Sequence, residues 1–226
     1  MTTTQYSSPM LRLFRTPHIV MPIPVAAARN LLNAERVWSE MKKLFDILVA
    51  AVGLVVASPV IGILAILIRR ESEGPAFFSQ DRVGLNGRLF RCHKLRTMTV
   101  NAPNVPTHHA SSTHITKLGA LLRRTKLDEL PQLWNIVRGE MSFVGPRPCL
   151  PSQAQLIEER QQRGVLRILP GITGLAQVND IDMSDPVRLA NKDAEYLATR
   201  SFFGDLNLIY RTVFQRAGAG DRVGTS

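Results

Sequence analysis

The sequence predicts an α+β, mostly helical protein in which a re-entrant membrane helix hairpin precedes a small cytoplasmic domain with a short β-hairpin and surface amphipathic helices. Three observations carry this prediction: an early apolar segment without charge, two strand-like runs joined by an Asn-Gly turn, and later segments with apolar residues at helical spacing. The 226 residues can bury one sizeable core, so we expect one folded unit with appendages.

Composition narrows the class of partner. Lysine and arginine outnumber aspartate and glutamate by 28 to 18, and this excess favours anionic partners such as phosphates, acidic lipid headgroups or nucleic acid. Charge alone does not choose among them. The two cysteines, Cys92 and Cys149, have no paired spacing, so we expect neither a disulfide framework nor a zinc site, and a reducing compartment fits best.

The membrane segment is assigned to residues 41–70, after a tail over residues 1–40 that we expect to be loosely ordered or to hold one short helix. From Ile47 to Ile68 the chain reads ILVAAVGLVVASPVIGILAILI, with no charge over 22 positions. As a straight helix this stretch reaches roughly 33 Å, enough to cross a bilayer core. An ordinary transmembrane helix is therefore the simplest interpretation.

Ser58 and Pro59, in the middle of this segment, favour a bend instead. Proline removes a backbone donor and clashes with the preceding turn, and the Ser58 hydroxyl can help to satisfy a carbonyl that proline leaves unpaired. Basic pairs at 42–43 and 69–70 flank both ends, so the positive-inside bias favours neither orientation. We therefore favour a re-entrant helix whose two ends both return to the cytoplasmic face.

Residues 71–214 are assigned to the cytoplasmic domain and residues 215–226 to a C-terminal tail. Two strand-like runs, 76–82 and 88–94, flank an Asn-Gly turn and predict a hairpin. A loop over residues 101–112 follows, in or beside which three histidines lie without acidic or cysteine neighbours, so we prefer a solvated loop to a metal site. Helices are expected in the segments 115–122, 130–137, 151–167, 189–199 and 202–213, the last with an apolar stripe for either the membrane surface or the core.

An acidic pair, Asp128 and Glu129, is the centre of the predicted chemistry. Because Pro131 fits the first turn of a helix, simple helix capping explains such a pair in isolation. Three nearby cations favour ionised carboxylates, and this favours a catalytic role over capping alone: Arg123, Arg124 and Lys126. An ionised carboxylate can attack phosphorus, and a neighbouring acid can hold a magnesium ion that neutralises a diphosphate.

Other cations are candidates for phosphate binding. Pro146 and Pro148 restrict the backbone on both sides of Arg147, which suits bidentate phosphate recognition, although a rigid surface turn explains the motif equally well. Lys94 and Arg96 follow the predicted hairpin as phosphate contacts or as a solvated strand face.

The segment 170–179 is a further candidate for either a structural turn or a ligand-binding loop. Its glycines predict a turn that enters a strand. In that strand Gln177 and Asn179 would point to the same side.

Five motifs occur in a characteristic order: Ser58-Pro59, Lys94-Leu95-Arg96-Thr97-Met98, Leu127-Asp128-Glu129-Leu130-Pro131-Gln132, Gly145-Pro146-Arg147-Pro148 and Pro170-Gly171-Ile172-Thr173-Gly174. In combination they resemble the bacterial sugar transferase family, the monotopic phosphoglycosyl transferases. The resemblance covers residues 41–214.

This resemblance implies transfer of a sugar phosphate from a nucleotide sugar, with UDP the expected nucleotide, to polyprenyl (undecaprenyl) phosphate, with release of a nucleoside monophosphate. By similarity, Asp128 would carry the phosphosugar and Glu129 would assist, both at a Mg²⁺ ion, while Arg123 and Arg147 would hold phosphates or the nucleotide. The family also implies a catalytic domain on the cytoplasmic face of the inner membrane, at the first membrane step of polysaccharide or glycoconjugate synthesis. The bilayer is an expected partner, nucleic acid is not, and a homodimer is left open.

Two other interpretations stay open. Another lipid-linked phosphotransferase would keep the acidic pair and magnesium but use a different donor. A non-enzymatic membrane adaptor would use the net charge of +10 to bind acidic lipids or nucleic acid, and would need no Asp128. Clustering of the cations around one carboxylate pair and Arg147 argues against the adaptor.

Overall fold

A computed structural model describes residues 25–100, 102 and 114–214, with side chains from residue 37 onward. The chain divides into two compact units, residues 1–39 and 40–226, and the second contains all the strands and every helix except the first turns of the long apolar helix. Most of the predicted 101–112 loop, residues 1–24 of the predicted N-terminal tail and the C-terminal tail lie outside the described residues.

The apolar segment lies in helix α1, Val25–Glu71, so the helix begins well before residue 41. By length and composition its part Val37–Glu71 can cross a membrane, and only 11% of its most apolar window is buried. The helix continues without interruption through Pro59, so the predicted hairpin is not confirmed. The predicted use of Ser58 is confirmed, since its Oγ donates to Val55 O at 2.8 Å, the carbonyl that Pro59 cannot serve.

One face of α1 packs on the rest of the second unit. Ala50 joins a core cluster with Cys92, Ile136 and Met141, and further along the helix Ile61 and Ile68 join a second cluster. The opposite face carries large apolar side chains in the open: Leu48, Val52, Val55, Val56, Ile63 and Ile66. A helix with apolar residues all round needs an apolar environment on the side that the protein leaves uncovered.

A hairpin follows α1, as the sequence predicts. Strands β1, Phe77–Val83, and β2, Leu89–Leu95, pair antiparallel, with Phe77 opposite Leu95 and Val83 opposite Leu89. Asn86 in the turn adopts φ 54° and ψ 28°, a left-handed conformation that asparagine tolerates. A second sheet was not predicted: β3, Ser142–Val144, pairs parallel with β4, Gly171–Thr173.

The remaining helices surround these strands: α2 Lys117–Thr125, α3 Gln132–Val137, α4 Ala154–Gln162, α5 Leu175–Val178, α6 Pro186–Thr199 and α7 Phe202–Phe214. A single 3-10 turn, Leu127–Glu129, separates α2 from α3. The predicted strand after Gly174 is wrong, because the strand ends at Thr173 and a short helix follows. Gln177 lies in that helix, where its Nε2 donates back to Ile172 O at 3.0 Å.

A buried polar network fixes the start of the apolar segment. Lys42 Nζ lies 3.1 Å from Asp46 Oδ2 and 2.9 Å from Asp205 Oδ2, which joins α1 to α7. Asp205 in turn accepts from Tyr196 Oη at 2.8 Å. Burial, followed by the neighbouring Asp205 charge, raises the pKa of the Tyr196 phenol far above its ordinary value, so it stays a neutral donor.

Candidate active site

The acidic pair lies in the 3-10 turn between α2 and α3. Lys126 ends α2 in the left-handed conformation, with φ 59°, and the chain then turns through Asp128, which is 5% exposed. The N-cap of α3 is Pro131, so the pair precedes the cap instead of supplying it. Leu127 and Leu130 pack into the core cluster that contains α1, which fixes the turn from its apolar side.

Two cations from distant parts of the chain hold Glu129. Lys94 Nζ, on β2, lies 2.9 Å from Glu129 Oε1, and Arg147 NH2 lies 3.4 Å from the same oxygen. All three side chains are less than a quarter exposed, so water screens these interactions only in part. The paired groups therefore form a compact charged centre beside Asp128.

The cations near Asp128 in the sequence are placed differently. Burial lowers the pKa of the Lys126 ammonium, an effect that the Glu129 charge opposes, so Lys126 belongs to the same electrostatic centre. Arg124 is exposed to solvent. Arg123 Nε donates to Thr97 Oγ1 at 2.8 Å, while its NH1 is buried without a hydrogen-bond partner, which leaves a donor that an anion could satisfy.

A small cleft opens over Glu129. Four of its lining residues were predicted as site residues: Lys94, Glu129, Arg147 and Pro148. Gln132 and Gly171 also line it and belong to the motifs, although no role was assigned to them. Arg82 and Cys92 were not predicted, and nothing local to Arg82 sets it apart in sequence. Burial raises the pKa of the Cys92 thiol, and the nearby Lys94 opposes that rise, so the thiol is protonated at neutral pH.

The Arg147 loop, residues 145–149, is held by the N–H of Gly145, which donates to Thr173 O at 2.9 Å, and by its carbonyl groups. Prolines at 146 and 148 have no N–H to donate, and both are buried. Four consecutive carbonyls each accept a hydrogen bond of 2.9 to 3.2 Å: Pro146 O from Gly171 N, Arg147 O from Arg160 NH1, Pro148 O from Arg82 NH1 and Cys149 O from Val83 N. Gly145 allows the close approach to β4, since a Cβ there would lie 2.4 Å from Leu169 O. The loop is thereby fixed and the Arg147 side chain projects to Glu129.

Arg96 lies elsewhere. It is buried, and its guanidinium donates to Ser72 O at 2.8 Å, to Ser72 Oγ at 2.9 Å and to Glu73 O. These bonds satisfy carbonyls just beyond the end of α1. The structure thus gives Arg96 structural partners at the end of α1, and Arg96 is not among the residues that line the cleft, so its predicted phosphate contact stays a prediction.

The acidic pair fits the predicted magnesium ion by its chemistry. Across the described ranges, no group of three or more metal-ligating side chains occurs, so a closed protein cage is not formed there. Mg²⁺ typically takes one or two protein carboxylates and completes its shell with water and substrate phosphates. Asp128 and Glu129 offer that donor set beside a cationic cleft, and the magnesium site stays a prediction.

The match to known proteins agrees with these motifs. Residues 37–218 match the family described as bacterial sugar transferase. The chain belongs to the bacterial sugar transferase family. The resemblance drawn from the motifs is therefore confirmed, and the assignment of the site residues stays a prediction.

Relatives in the family carry informative names. The undecaprenyl-phosphate glucose phosphotransferase of Komagataeibacter xylinus is 35% identical over 76% of this chain and 35% of its own length. The exopolysaccharide production protein ExoY of Rhizobium meliloti is 36% identical over 76% and 83%, respectively. A UDP-glucose:undecaprenyl-phosphate glucose-1-phosphate transferase of Klebsiella pneumoniae is 37% identical over 77% and 39%. The chain thus spans well under half the length of the first and third of these relatives.

Proposed function

We propose that this sugar transferase moves a sugar phosphate from a nucleotide sugar, with UDP the expected nucleotide, to polyprenyl phosphate. The proposal rests on the acidic pair. Glu129 lines a cleft and its carboxylate lies between Lys94 and Arg147, and the buried Asp128 precedes it in the chain. The names of the relatives, which include undecaprenyl-phosphate glucose phosphotransferase, support the same reaction class.

In the first step, a carboxylate oxygen of Asp128 attacks the sugar-bearing phosphorus of the nucleotide sugar. A new bond forms between that oxygen and phosphorus, and the bond from phosphorus to the bridging oxygen of the diphosphate breaks. The bridging oxygen leaves on the nucleoside monophosphate with the electron pair. Asp128 then carries the sugar phosphate as an acyl phosphate.

In the second step, a phosphate oxygen of polyprenyl phosphate attacks the same phosphorus. The bond to Asp128 breaks and returns the carboxylate, and a diphosphate-linked lipid sugar is formed. No oxidant or further reactant is needed, so the enzyme is ready for another cycle. An anchored site lets a soluble donor meet a lipid acceptor by reducing their search to the membrane surface.

The cations supply the electrostatic part of the proposal. Lys94 and Arg147 hold the phosphoryl oxygens whose negative charge grows during transfer, and the fixed positions of both groups make this stabilisation effective in a partly dry cleft. Arg123 is not among the residues that line the cleft, but its buried NH1 has no hydrogen-bond partner, and we propose it as a further phosphate contact. Magnesium bound by Asp128 and Glu129 would neutralise the diphosphate and improve its leaving group.

We also propose that α1 is re-entrant at the cytoplasmic face of the inner membrane. Both ends of the apolar segment are tied to the same unit: Asp46 accepts from Ser142 near its start, and Glu71 Oε1 accepts from Leu118 N at its end. The helix between them is about 38 Å long. Contacts of both ends with one unit favour a helix whose two ends stay on the same face of the bilayer, over one that leaves this unit and crosses to the other face.

Intact mass spectrometry tests the reaction. The membrane-embedded protein with magnesium and a panel of nucleotide sugars, but no lipid acceptor, is expected to gain one sugar phosphate on Asp128. Asp128→Asn should abolish the adduct and turnover, while Asp81→Asn, whose side chain is 63% exposed on β1, should keep both. If nucleoside monophosphate is released only when polyprenyl phosphate is present, and no adduct forms, the sugar phosphate is transferred directly and not through Asp128. No release with any donor would contradict the transferase.

A further inference from the structure

We propose that the buried ion pair between Arg160 on α4 and Asp193 on α6 is a positioning device that aims Arg147 into the cleft. This inference adds to the proposed function and rests on one part of it, the binding of phosphate by Arg147. Neither residue belongs to the motifs that led to the site. Both lie in the core behind the Arg147 loop, with side chains that are 2% and 3% exposed.

The geometry links the pair directly to Arg147. Arg160 Nε donates to Asp193 Oδ2 at 2.9 Å, and its NH2 lies 2.7 Å from the same oxygen. The other arm of the guanidinium, NH1, donates to Arg147 O at 2.9 Å. A guanidinium is planar and its donors keep a fixed angle, so Asp193 sets the direction in which NH1 points.

The neighbouring prolines make this bond important. The Arg147 loop lacks N–H donors at 146 and 148, so beyond Gly145, whose N–H donates to Thr173 O at 2.9 Å, its position depends largely on what its carbonyls accept. The flanking carbonyls bond to Gly171 on β4 and to Arg82 on β1, and Arg160 supplies the bond at the central residue. Losing that bond allows the peptide of Arg147 to rotate, which displaces the guanidinium that reaches Glu129 at 3.4 Å.

Stability alone explains the pair poorly. Two charges buried in a core cost desolvation energy that their attraction often fails to recover, and apolar residues of similar size commonly replace such pairs without loss. Burial raises the pKa of the Asp193 carboxyl and Arg160 opposes that rise, as expected where the core disfavours a charge without its partner. A positioning function accounts for keeping both charges.

A double-mutant cycle between Arg160 and Arg147 tests the proposal, with the affinity for magnesium pyrophosphate measured by calorimetry. Arg160→Lys keeps a positive charge opposite Asp193 but replaces the rigid fork by a point charge. We expect it to weaken pyrophosphate binding roughly 10-fold and kcat/KM by roughly 10- to 100-fold, as misplacement of a binding group does. In the Arg147→Ala background the same change should alter pyrophosphate affinity less than about 2-fold, because the group being aimed is gone.

Two further variants separate positioning from folding. Arg163→Gln is the matched control, since Arg163 also joins α4 to α6, through Asn191 Oδ1 at 2.7 Å, and makes none of the four carbonyl bonds of the Arg147 loop. It should shift the melting temperature slightly and leave pyrophosphate affinity unchanged. Arg160→Met/Asp193→Leu removes both charges together, so no unpaired charge destabilises the core, and it should still lose affinity.

Equal losses of affinity in both Arg147 backgrounds, or wild-type affinity in the Met/Leu double variant, would overturn the proposal. So would a wild-type protein that does not bind pyrophosphate, even if it turns over nucleotide sugars. Coupling between Arg160 and Arg147 in binding, found without any turnover, would instead support the positioning device and contradict the proposed transfer reaction.

Discussion

The hydroxyl of Ser142 donates to the carboxylate of Asp46 at 2.6 Å and so joins two residues that are 96 positions apart in the chain. Asp46 is 4% exposed on α1, one helical turn before the uncharged face begins to pack at Ala50. Ser142 begins β3, and the loop after β3 carries Arg147. The bond therefore ties the start of the apolar helix to the strand that leads into the candidate active site.

Ser142→Ala should loosen that connection. The variant leaves the buried Asp46 with Lys42 but without its serine donor, and a lost partner of a buried charged group costs about 1–3 kcal/mol. We expect a lower melting temperature in detergent or nanodiscs, followed by tryptophan fluorescence. Thr199→Ala removes an exposed hydroxyl bond on α6 and should change the free energy of unfolding by about 0.5 kcal/mol or less. Equal effects of the two changes would contradict a special role for Asp46.

Glu129→Gln should separate metal binding from simple packing. The amide keeps the shape of the side chain but removes the charge between Lys94 and Arg147 and one predicted magnesium ligand. We expect turnover to fall by about 10²- to 10⁴-fold and half-maximal rate to require more Mg²⁺. The exposed Glu158 on α4 provides the control, since Glu158→Gln should leave the magnesium titration unchanged. An unchanged titration in Glu129→Gln would remove Glu129 from the metal site.

Cys92 should react slowly with iodoacetamide, at a rate that keeps rising with pH. Only the thiolate reacts, and burial raises the pKa of Cys92, so the reactive fraction is small at pH 7 and still grows above pH of about 8.5. A bound nucleotide sugar should slow the reaction further, because Cys92 lines the cleft. Cys149, fully buried and with a pKa that burial also raises, is the internal control, and peptide mapping should show no protection there. A plateau of the Cys92 rate below pH 8 would contradict this prediction.

Pro59→Ala should shift the topology of α1 towards spanning. Alanine restores an N–H that can bond Val55 O in place of Ser58 Oγ, which removes the cause of the expected bend. In the wild-type protein, accessibility reporters at Glu40 and Pro75 should lie on the same membrane face, and in Pro59→Ala a fraction of the Pro75 reporters should cross. Gly62→Ala is the control, since a Cβ there meets open space and should leave the topology unchanged. Reporters on opposite faces in the wild type would refute the re-entrant helix.

Local signals in the sequence predicted several elements well. The Asn-Gly turn gave the β1–β2 hairpin, because a left-handed turn residue between two strand-like runs leaves few other conformations. The proline at 59 predicted the bond from Ser58 to Val55, because both groups lie on one helical turn. The segment at Gln177 was mistaken for a strand, since three residues of β4 and a four-residue helix are too short to show a period.

By itself, the sequence determined the apolar helix, the hairpin and the acidic pair, because each depends on residues that are neighbours in the chain. Only the tertiary structure decided which cations meet Glu129. The expected partners were Arg123 and Arg124, which are near in the chain. The cations that contact Glu129 Oε1 are instead Lys94 and Arg147, which lie 35 and 18 positions away and reach this oxygen because β2 and the Arg147 loop pack together. The Arg160–Asp193 pair could not be predicted from the sequence for the same reason. A side chain that is oriented by distant elements leaves no periodic or local mark, since its direction is fixed only when those elements pack.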